Sequence, residues 1–315
     1  MDYVLMVIGF CLAAVAVIGN DTIQTLGTFL SSNSQRPWYV LAAYIGSIMV
    51  VVLVYGWMTY EGDVSYGRLS KVGPLPQPFH WYYLLPPLVL LVVTRFGIPV
   101  STTFLIISVF STKLIGPMLV KSLSGYAVAI LVGIALYAVL TNVLERRFSN
   151  LPLSSDNTIM WTILQWLSTG FLWAQWLIQD LANIYVYLPR SLSSVELLWS
   201  VAVLVILLAI IFRLRGGEIQ KIVTSKTATS DIRSATMIDF LYGLILLVFK
   251  QWSKIPMSTT WVFIGLLAGR EIMISVLLTK RDRGTVAKLI GSDLLKATLG
   301  LVISVGLVVL INQFK

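Results

Sequence analysis

The tripeptide Ser-Thr-Thr occurs twice in the chain, each time two residues after a proline, in Pro99-Val100-Ser101-Thr102-Thr103 and in Pro256-Met257-Ser258-Thr259-Thr260. Because proline disfavours helix in the residue before it, we expect a new helix to begin just behind each proline. The free N–H groups and the positive dipole end of such a helix attract anions, and the three hydroxyls add donors. N-capping alone would need only one of the three. The two triplets therefore predict one shared site for a tetrahedral oxyanion, in which each triplet supplies the hydrogen-bond donors on one side.

An aspartate precedes each triplet by about 80 residues, Asp21 in the first case and Asp180 in the second. Each has side-chain amides nearby, from Asn20 and Gln24 or from Gln179 and Asn183. A carboxylate inside a membrane segment costs several kcal/mol unless it is paired, so it is by default a functional candidate. Carboxylate and amide oxygens suit a hard cation such as Na⁺, and a carboxylate can also carry a proton. The alternative, two helix caps at the membrane surface, does not explain the matching positions.

Two basic residues lie close to the triplets. Arg95 comes four residues before Pro99, and Lys254 two residues before Pro256. Either side chain could complement an anion or pair with an aspartate. The alternative is that each extends to the membrane surface or forms a local ion pair. Both are kept as candidate anion ligands.

The composition indicates the elements that must position these residues. Of the 315 residues 57% are hydrophobic and only 12% are charged, whereas soluble domains carry about 25% charged residues. Several apolar runs reach about 20 residues, the length that crosses a bilayer as a helix. The sequence thus predicts an all-α polytopic membrane protein in contact with a lipid bilayer. The net charge of +9 is spread over short loops and indicates no nucleic-acid partner.

Comparison of the chain with itself at a shift of about 157 residues aligns the two aspartates and the two triplets. We therefore predict two repeats of inverted topology, residues 1–148 and 158–315, joined by a linker at 149–157. In each repeat we expect a first helix that is broken near Asp21 or Asp180, and a re-entrant helical hairpin whose tip lies near Pro99 or Pro256. Lys and Arg then collect mainly on one side, which places both termini outside. Inverted repeats with broken helices are typical of secondary transporters.

Taken together, these motifs resemble the inorganic phosphate transporter family, sodium- or proton-coupled phosphate symporters that include some sulfate permeases. That family carries Gly-x-Asn-Asp-x-x-Asn in each half and Pro-x-Ser-Thr-Thr-His further on. Gly19-Asn20-Asp21 matches in the first half, and Asp180 with Asn183 in the second. Glutamine replaces asparagine at Gln24 and Gln179, and the histidines are replaced by Phe104 and Trp261.

The resemblance implies symport of inorganic phosphate with Na⁺ or H⁺ across the plasma or inner membrane, with Na⁺ at Asp21 and Asp180. It also implies a homodimer and no cofactor other than a bound Na⁺. The main alternative is a permease for sulfate or another oxyanion. A membrane-embedded enzyme is less favoured, since the chain has one His and one Cys. A phosphate-sensing receptor is also less favoured, because no sizeable soluble domain is predicted. We expect the chain not to be an enzyme.

Overall fold

The computed structural model describes residues 2–95, 100–140, 155–215, 232–278 and 283–314. These residues form an all-helical bundle without strands. The helices are α1 (Asp2–Ser32), α2 (Trp38–Thr59), α3 (Leu69–Val72), α4 (Leu85–Arg95), α5 (Thr102–Phe110), α6 (Ile115–Leu140), α7 (Ser155–Tyr185), α8 (Ser194–Arg213), α9 (Ile232–Trp252), α10 (Thr259–Leu278) and α11 (Arg283–Asn312). Short 3₁₀ turns precede α4 and α6, at Trp81–Leu84 and Thr112–Leu114.

Local signals in the sequence define several helix ends. Helix α2 begins directly after Pro37, where proline's missing N–H is not needed. At the start of α8, Ser193 accepts from the backbone of Glu196, while the Glu196 side chain accepts from the backbone of Ser193. This reciprocal arrangement is a capping box, which satisfies two free N–H groups. Both helix starts therefore depend on residues that are close together in the chain.

Six helical segments of the described chain are long and apolar enough to cross a membrane: Asp2–Thr22, Trp38–Thr59, Thr112–Val139, Ser194–Arg213, Ala235–Trp252 and Gly284–Asn312. Many of their large apolar side chains are exposed, among them Val51, Leu131 and Ile206. Lipid can solvate such a surface and water cannot. The predicted all-α polytopic membrane fold is confirmed.

Contacts between loops define the two ends of the bundle. At the first end, the carboxylate of Asp2 accepts from the backbone N–H of Phe79 at 3.1 Å. The ring of Phe314 lies 5.8 Å from that of Trp81. Both chain ends thus lie at the end of the bundle that carries the loop of residues 60–84. At the opposite end, the side chain of Arg215 donates to the α1–α2 turn.

Helices α4 and α5 lie side by side, and their outer ends meet at the first end, where Phe110 stacks on Tyr83 with ring centroids 5.0 Å apart. Helix α5 therefore runs from the interior to the first end. Helix α6 starts near Phe110 at the first end and runs away from it. Helix α10 is parallel to α6, because Ser258 contacts Ser122 and Arg270 contacts Tyr137, so α10 also runs away from the first end. Residues 96–99, which include the predicted tip at Pro99, lie outside the described residues.

Helices α6 and α10 approach so closely that glycine is needed at their contact. A Cβ on Gly133 would lie 2.6 Å from the carbonyl oxygen of Leu266, and one on Gly269 would collide with the carbonyl of Ile130. The backbones pack at this point as in membrane helix pairs with small residues at the interface. This contact holds the middle of α10 against α6.

The structure corrects one expectation. Helix α1 continues unbroken through Asp21, and α7 continues through Asp180, so neither first helix is interrupted at its aspartate. The reason is that side chains, rather than unwound main chain, satisfy these carboxylates. Most of the predicted linker at 149–157 lies outside the described residues, and the division into two repeats stays a prediction.

Candidate functional site

The serines of the two triplets are helix caps. Ser101 precedes α5, and its hydroxyl accepts from the backbone N–H of Phe104 at 3.2 Å. Ser258 precedes α10 and accepts from the backbone N–H of Trp261, also at 3.2 Å. The conventional capping role is therefore carried by one residue of each triplet. The threonines that follow do not serve as these caps.

The two threonines of the first triplet contact the two predicted carboxylates. The hydroxyl of Thr102 donates to Asp21 Oδ2 at 2.8 Å. The hydroxyl of Thr103 lies 3.3 Å from Asp180 Oδ1. All four residues are buried, with 2% or less of their surface exposed. The first turn of α5 thus joins a carboxylate on α1 to a carboxylate on α7.

Asn183 completes this connection. Its amide nitrogen lies 2.8 Å from Asp180 Oδ1, 3.1 Å from the hydroxyl of Thr103 and 3.2 Å from that of Thr102. Asn183 stands one helical turn after Asp180 on α7, so both side chains leave the same face of that helix. The pattern Asp-x-x-Asn at 180–183 therefore has a direct structural purpose.

The second triplet closes the other side. The hydroxyl of Thr103 also lies 3.1 Å from the carbonyl oxygen of Met257, the residue before Ser258. The backbone N–H of Ser258 donates to the hydroxyl of Ser122 on α6 at 2.9 Å. Thr259 and Thr260 are buried as well, and the hydroxyl of Thr259 interacts with the carboxylate of Asp180. The starts of α5 and α10, helices of opposite direction, therefore lie next to each other.

Two acceptor oxygens of this region, Asp180 Oδ2 and Asn183 Oδ1, are buried without a hydrogen bond of good geometry among the described residues. The nearest further donor to Asp180 is the hydroxyl of Thr259 in the second triplet. The charges of Asp21 and Asp180 are close enough to repel each other. Buried acceptors without a donor are unfavourable. A cation or a proton would satisfy them and cancel the repulsion.

The remaining predicted residues are placed as follows. The amide nitrogen of Asn20 donates to Asp21 Oδ1 at 2.7 Å. The side chain of Gln179 contacts Arg68. Its Oε1 accepts a hydrogen bond from Nη2 of Arg68 at 3.0 Å. The side chain of Gln24 lies outside the described residues.

The two predicted cations are not brought to the triplets. Arg95 is exposed at the end of α4. Lys254 is exposed as well, and its amine lies 5.3 Å from the centre of the Tyr60 ring in a cation–π arrangement.

Sequence reasoning did not single out Arg68 or Lys121. Arg68 comes from the loop after α2, yet it is only 1% exposed. Lys121 on α6 donates to the backbone carbonyls of Ser253 and Ile255, at 2.8 and 2.7 Å, and so fixes the turn before α10. In the sequence both look like ordinary loop or helix-end cations, and no motif distinguishes them.

A further carboxylate, Asp239 on α9, is buried. It accepts from the hydroxyls of Thr28 at 2.7 Å and of Thr169 at 2.6 Å. Asp239 therefore joins α9 to α1 and α7, away from the two triplets.

Aromatic rings take the two positions where the family pattern has histidine. Phe104 and Trp261 are both buried, and their ring centroids lie 6.3 Å apart. Each follows directly on its Ser-Thr-Thr triplet, so the two rings pack together beside the paired helix starts. Neither ring can accept or donate a proton as histidine does.

The fold is that of a polytopic helical membrane protein. It is similar to a solved structure described as "the sodium-dependent phosphate transporter", with a TM-score of 0.64 and 14% sequence identity over 99% of this chain and 99% of that chain. No family model and no curated protein sequence matches the chain. The predicted resemblance to phosphate transporters is thus confirmed at the level of the fold.

Proposed function

We propose that this protein is a secondary active transporter that couples the inward movement of a cation, Na⁺, to the uptake of inorganic phosphate. The observation that carries the proposal is the pair Thr102 and Thr103, whose hydroxyls contact Asp21 and Asp180 at the point where α5 and α10 begin. The segment Thr102–Thr103 therefore contacts both carboxylates and also forms the first turn of α5. The transporter fold supports this and also the expectation that the chain is not an enzyme.

In this proposal, Na⁺ binds to the buried oxygens of Asp21, Asp180 and Asn183. The charge of Na⁺ cancels the repulsion between the two carboxylates. The carboxylate oxygens then bind Na⁺ and no longer accept hydrogen bonds from the threonine hydroxyls. Thr102 and Thr103 become free to donate to an oxyanion at the starts of α5 and α10. Helix starts with free N–H groups favour negative charge. Phosphate therefore binds well only after the cation.

Alternating access follows from the same arrangement. We propose that the halves 1–148 and 158–315 are inverted repeats, which is supported by the opposite directions of α5 and α10. The packing of α5 against α11 and of α6 against α10 fits the same relationship. Movement of one half against the other would expose the paired helix starts first to one side and then to the other. Both chain ends would lie outside, in agreement with their common position at the first end of the bundle.

The substrate can be tested by competition. Purified protein in proteoliposomes, with an inward Na⁺ gradient, should take up labelled phosphate, and unlabelled phosphate should inhibit that uptake far better than sulfate. If sulfate were taken up as fast as phosphate, or if it inhibited phosphate uptake as strongly as unlabelled phosphate does at the same concentration, phosphate specificity would be excluded. The protein would then be the alternative, an oxyanion permease of wider specificity. Liposomes with Asp180→Asn protein provide the control for leakage.

A further inference from the structure

Arg68 is a buried cation in an unusual position. It stands between α2 and α3, at the first end of the bundle, and its side chain reaches inward to α7. There its Nε and Nη2 atoms donate to the same oxygen, Oε1 of Gln179, at 3.3 and 3.0 Å. Only 1% of the residue is exposed. The partner is a neutral amide one residue before Asp180.

The charge of Arg68 has no ion-pair partner within the part of the chain that the structure describes. Burial lowers the pKa of Arg68 to about 10 because the charged form is desolvated, yet the guanidinium stays protonated at neutral pH. Two lysines, Lys121 and Lys250, lie near enough to add positive potential. A buried charge that is not paired is strongly unfavourable. Two carboxylates, Asp180 and Asp63, attract Arg68, but neither forms a salt bridge with it among the described residues.

A series of contacts connects Arg68 to the start of α10. The amide nitrogen of Gln179 donates to the carbonyl of Leu246 at 3.1 Å, one helical turn after Tyr242 on α9. The hydroxyl of Tyr242 in turn donates to the carbonyl of Thr259 in the second triplet. Lys121 holds the turn just before that triplet. Arg68 is therefore connected to the second triplet through Gln179 and α9.

We propose that Arg68 is the specificity-determining cation of the anion route, which exchanges its bond to Gln179 for the incoming oxyanion. The planar guanidinium presents paired donors that match two oxygens of a tetrahedral oxyanion. The oxyanion would supply the missing counter-charge, so binding removes an unfavourable state as well as forming new bonds. This inference rests on the proposed phosphate transport and adds a recognition residue outside both triplets.

The test compares three variants by equilibrium binding of labelled phosphate to detergent-purified protein at saturating Na⁺, together with Na⁺ activation of binding. Arg68→Gln should weaken phosphate binding about tenfold or more, the effect of losing one charge-assisted interaction. Its half-saturating Na⁺ concentration should stay within about twofold. Arg68→Lys, which keeps the charge but loses the fork, should bind phosphate with intermediate affinity and serves if Arg68→Gln does not fold. Lys71→Gln removes an exposed charge from the same loop and should bind like the original protein.

Two results would overturn the role of Arg68. One is unchanged phosphate affinity in Arg68→Gln. The other is an equal loss of phosphate and Na⁺ affinity together with a lowered Tm, which would make Arg68 structural. If the original protein itself binds no phosphate but Na⁺ still changes its Tm, the proposed substrate fails, whatever the variants do.

Discussion

The hydroxyl of Thr102 donates a hydrogen bond of 2.8 Å to Asp21, although the two residues are 81 positions apart in the chain. The bond joins the first turn of α5 to the middle of α1. The hydroxyl of the next residue, Thr103, lies 3.3 Å from Asp180 Oδ1 and 3.1 Å from the carbonyl oxygen of Met257, and its one hydrogen can be donated to either. A cation that binds to either carboxylate must therefore compete with, or release, a hydroxyl at a helix start. This competition is the physical basis that we propose for coupling.

Neutralising either carboxylate should abolish coupled uptake. Asp21→Asn and Asp180→Asn, made singly, keep the size of the side chain but remove the charge that holds the cation. We expect Na⁺-driven phosphate uptake to fall to the level of empty liposomes, while each variant still elutes as a folded protein in size-exclusion chromatography. Full uptake by both variants would exclude the proposed cation site.

The threonine hydroxyls and the serine caps should have separable effects. Thr102→Val removes the donor to Asp21, and we expect it to lower phosphate affinity at least about tenfold, whereas Thr102→Ser should retain most of it. Ser101→Ala removes only the cap of α5 and should lower stability by about 1 kcal/mol. The measurements are phosphate binding and thermal unfolding in detergent. Equal phosphate affinities for Thr102→Val and Thr102→Ser would contradict the role of the hydroxyl.

The close contact of α6 and α10 gives a prediction of stability. In Gly133→Ala the new methyl group would meet the carbonyl of Leu266, so we expect a lowered Tm. Gly116→Ala is the matched control on the same helix, since a Cβ there meets no atom within 4 Å. That variant should be unchanged or stabilised by up to about 1 kcal/mol through helix propensity. A Tm for Gly133→Ala at or above that of Gly116→Ala would show that the helices can separate without loss.

Asp239 should be structural rather than part of coupling. Asp239→Ala leaves the hydroxyls of Thr28 and Thr169 without their acceptor, and each loss costs about 1–3 kcal/mol. We therefore expect a markedly lower Tm, and an intermediate value for Asp239→Asn, which keeps one acceptor oxygen. The Na⁺ dependence of uptake by Asp239→Asn should match that of the original protein. A changed Na⁺ dependence with an unchanged Tm would instead make Asp239 a coupling residue.

Much of this arrangement could be predicted from the sequence because its signals are local. Apolar runs of membrane length, the Pro37 helix start and the Ser193–Glu196 capping box depend on residues that are near each other in the chain. The duplicated motifs indicated that each half supplies one aspartate and one Ser-Thr-Thr triplet. The motifs did not show that the first triplet contacts both carboxylates.

Other features depend on distant contacts and left no signal in the sequence. The continuity of α1 through Asp21 follows from donors on Asn20 and Thr102, and Thr102 is supplied by another helix. Arg68 is buried only because its loop folds back onto α7, so its neighbours in the sequence do not distinguish it from an exposed loop cation. By contrast, Arg95 and Lys254 are close to the triplets in sequence but exposed in the fold.

The most direct test of the account is phosphate uptake into proteoliposomes, with inward Na⁺ and H⁺ gradients imposed separately. The account predicts accumulation of labelled phosphate above its external concentration under the Na⁺ gradient, and none without a gradient or with Asp21→Asn protein. Accumulation under the H⁺ gradient alone would replace Na⁺ by the proton at the same carboxylates. Equal phosphate uptake with and without either gradient would contradict cation coupling.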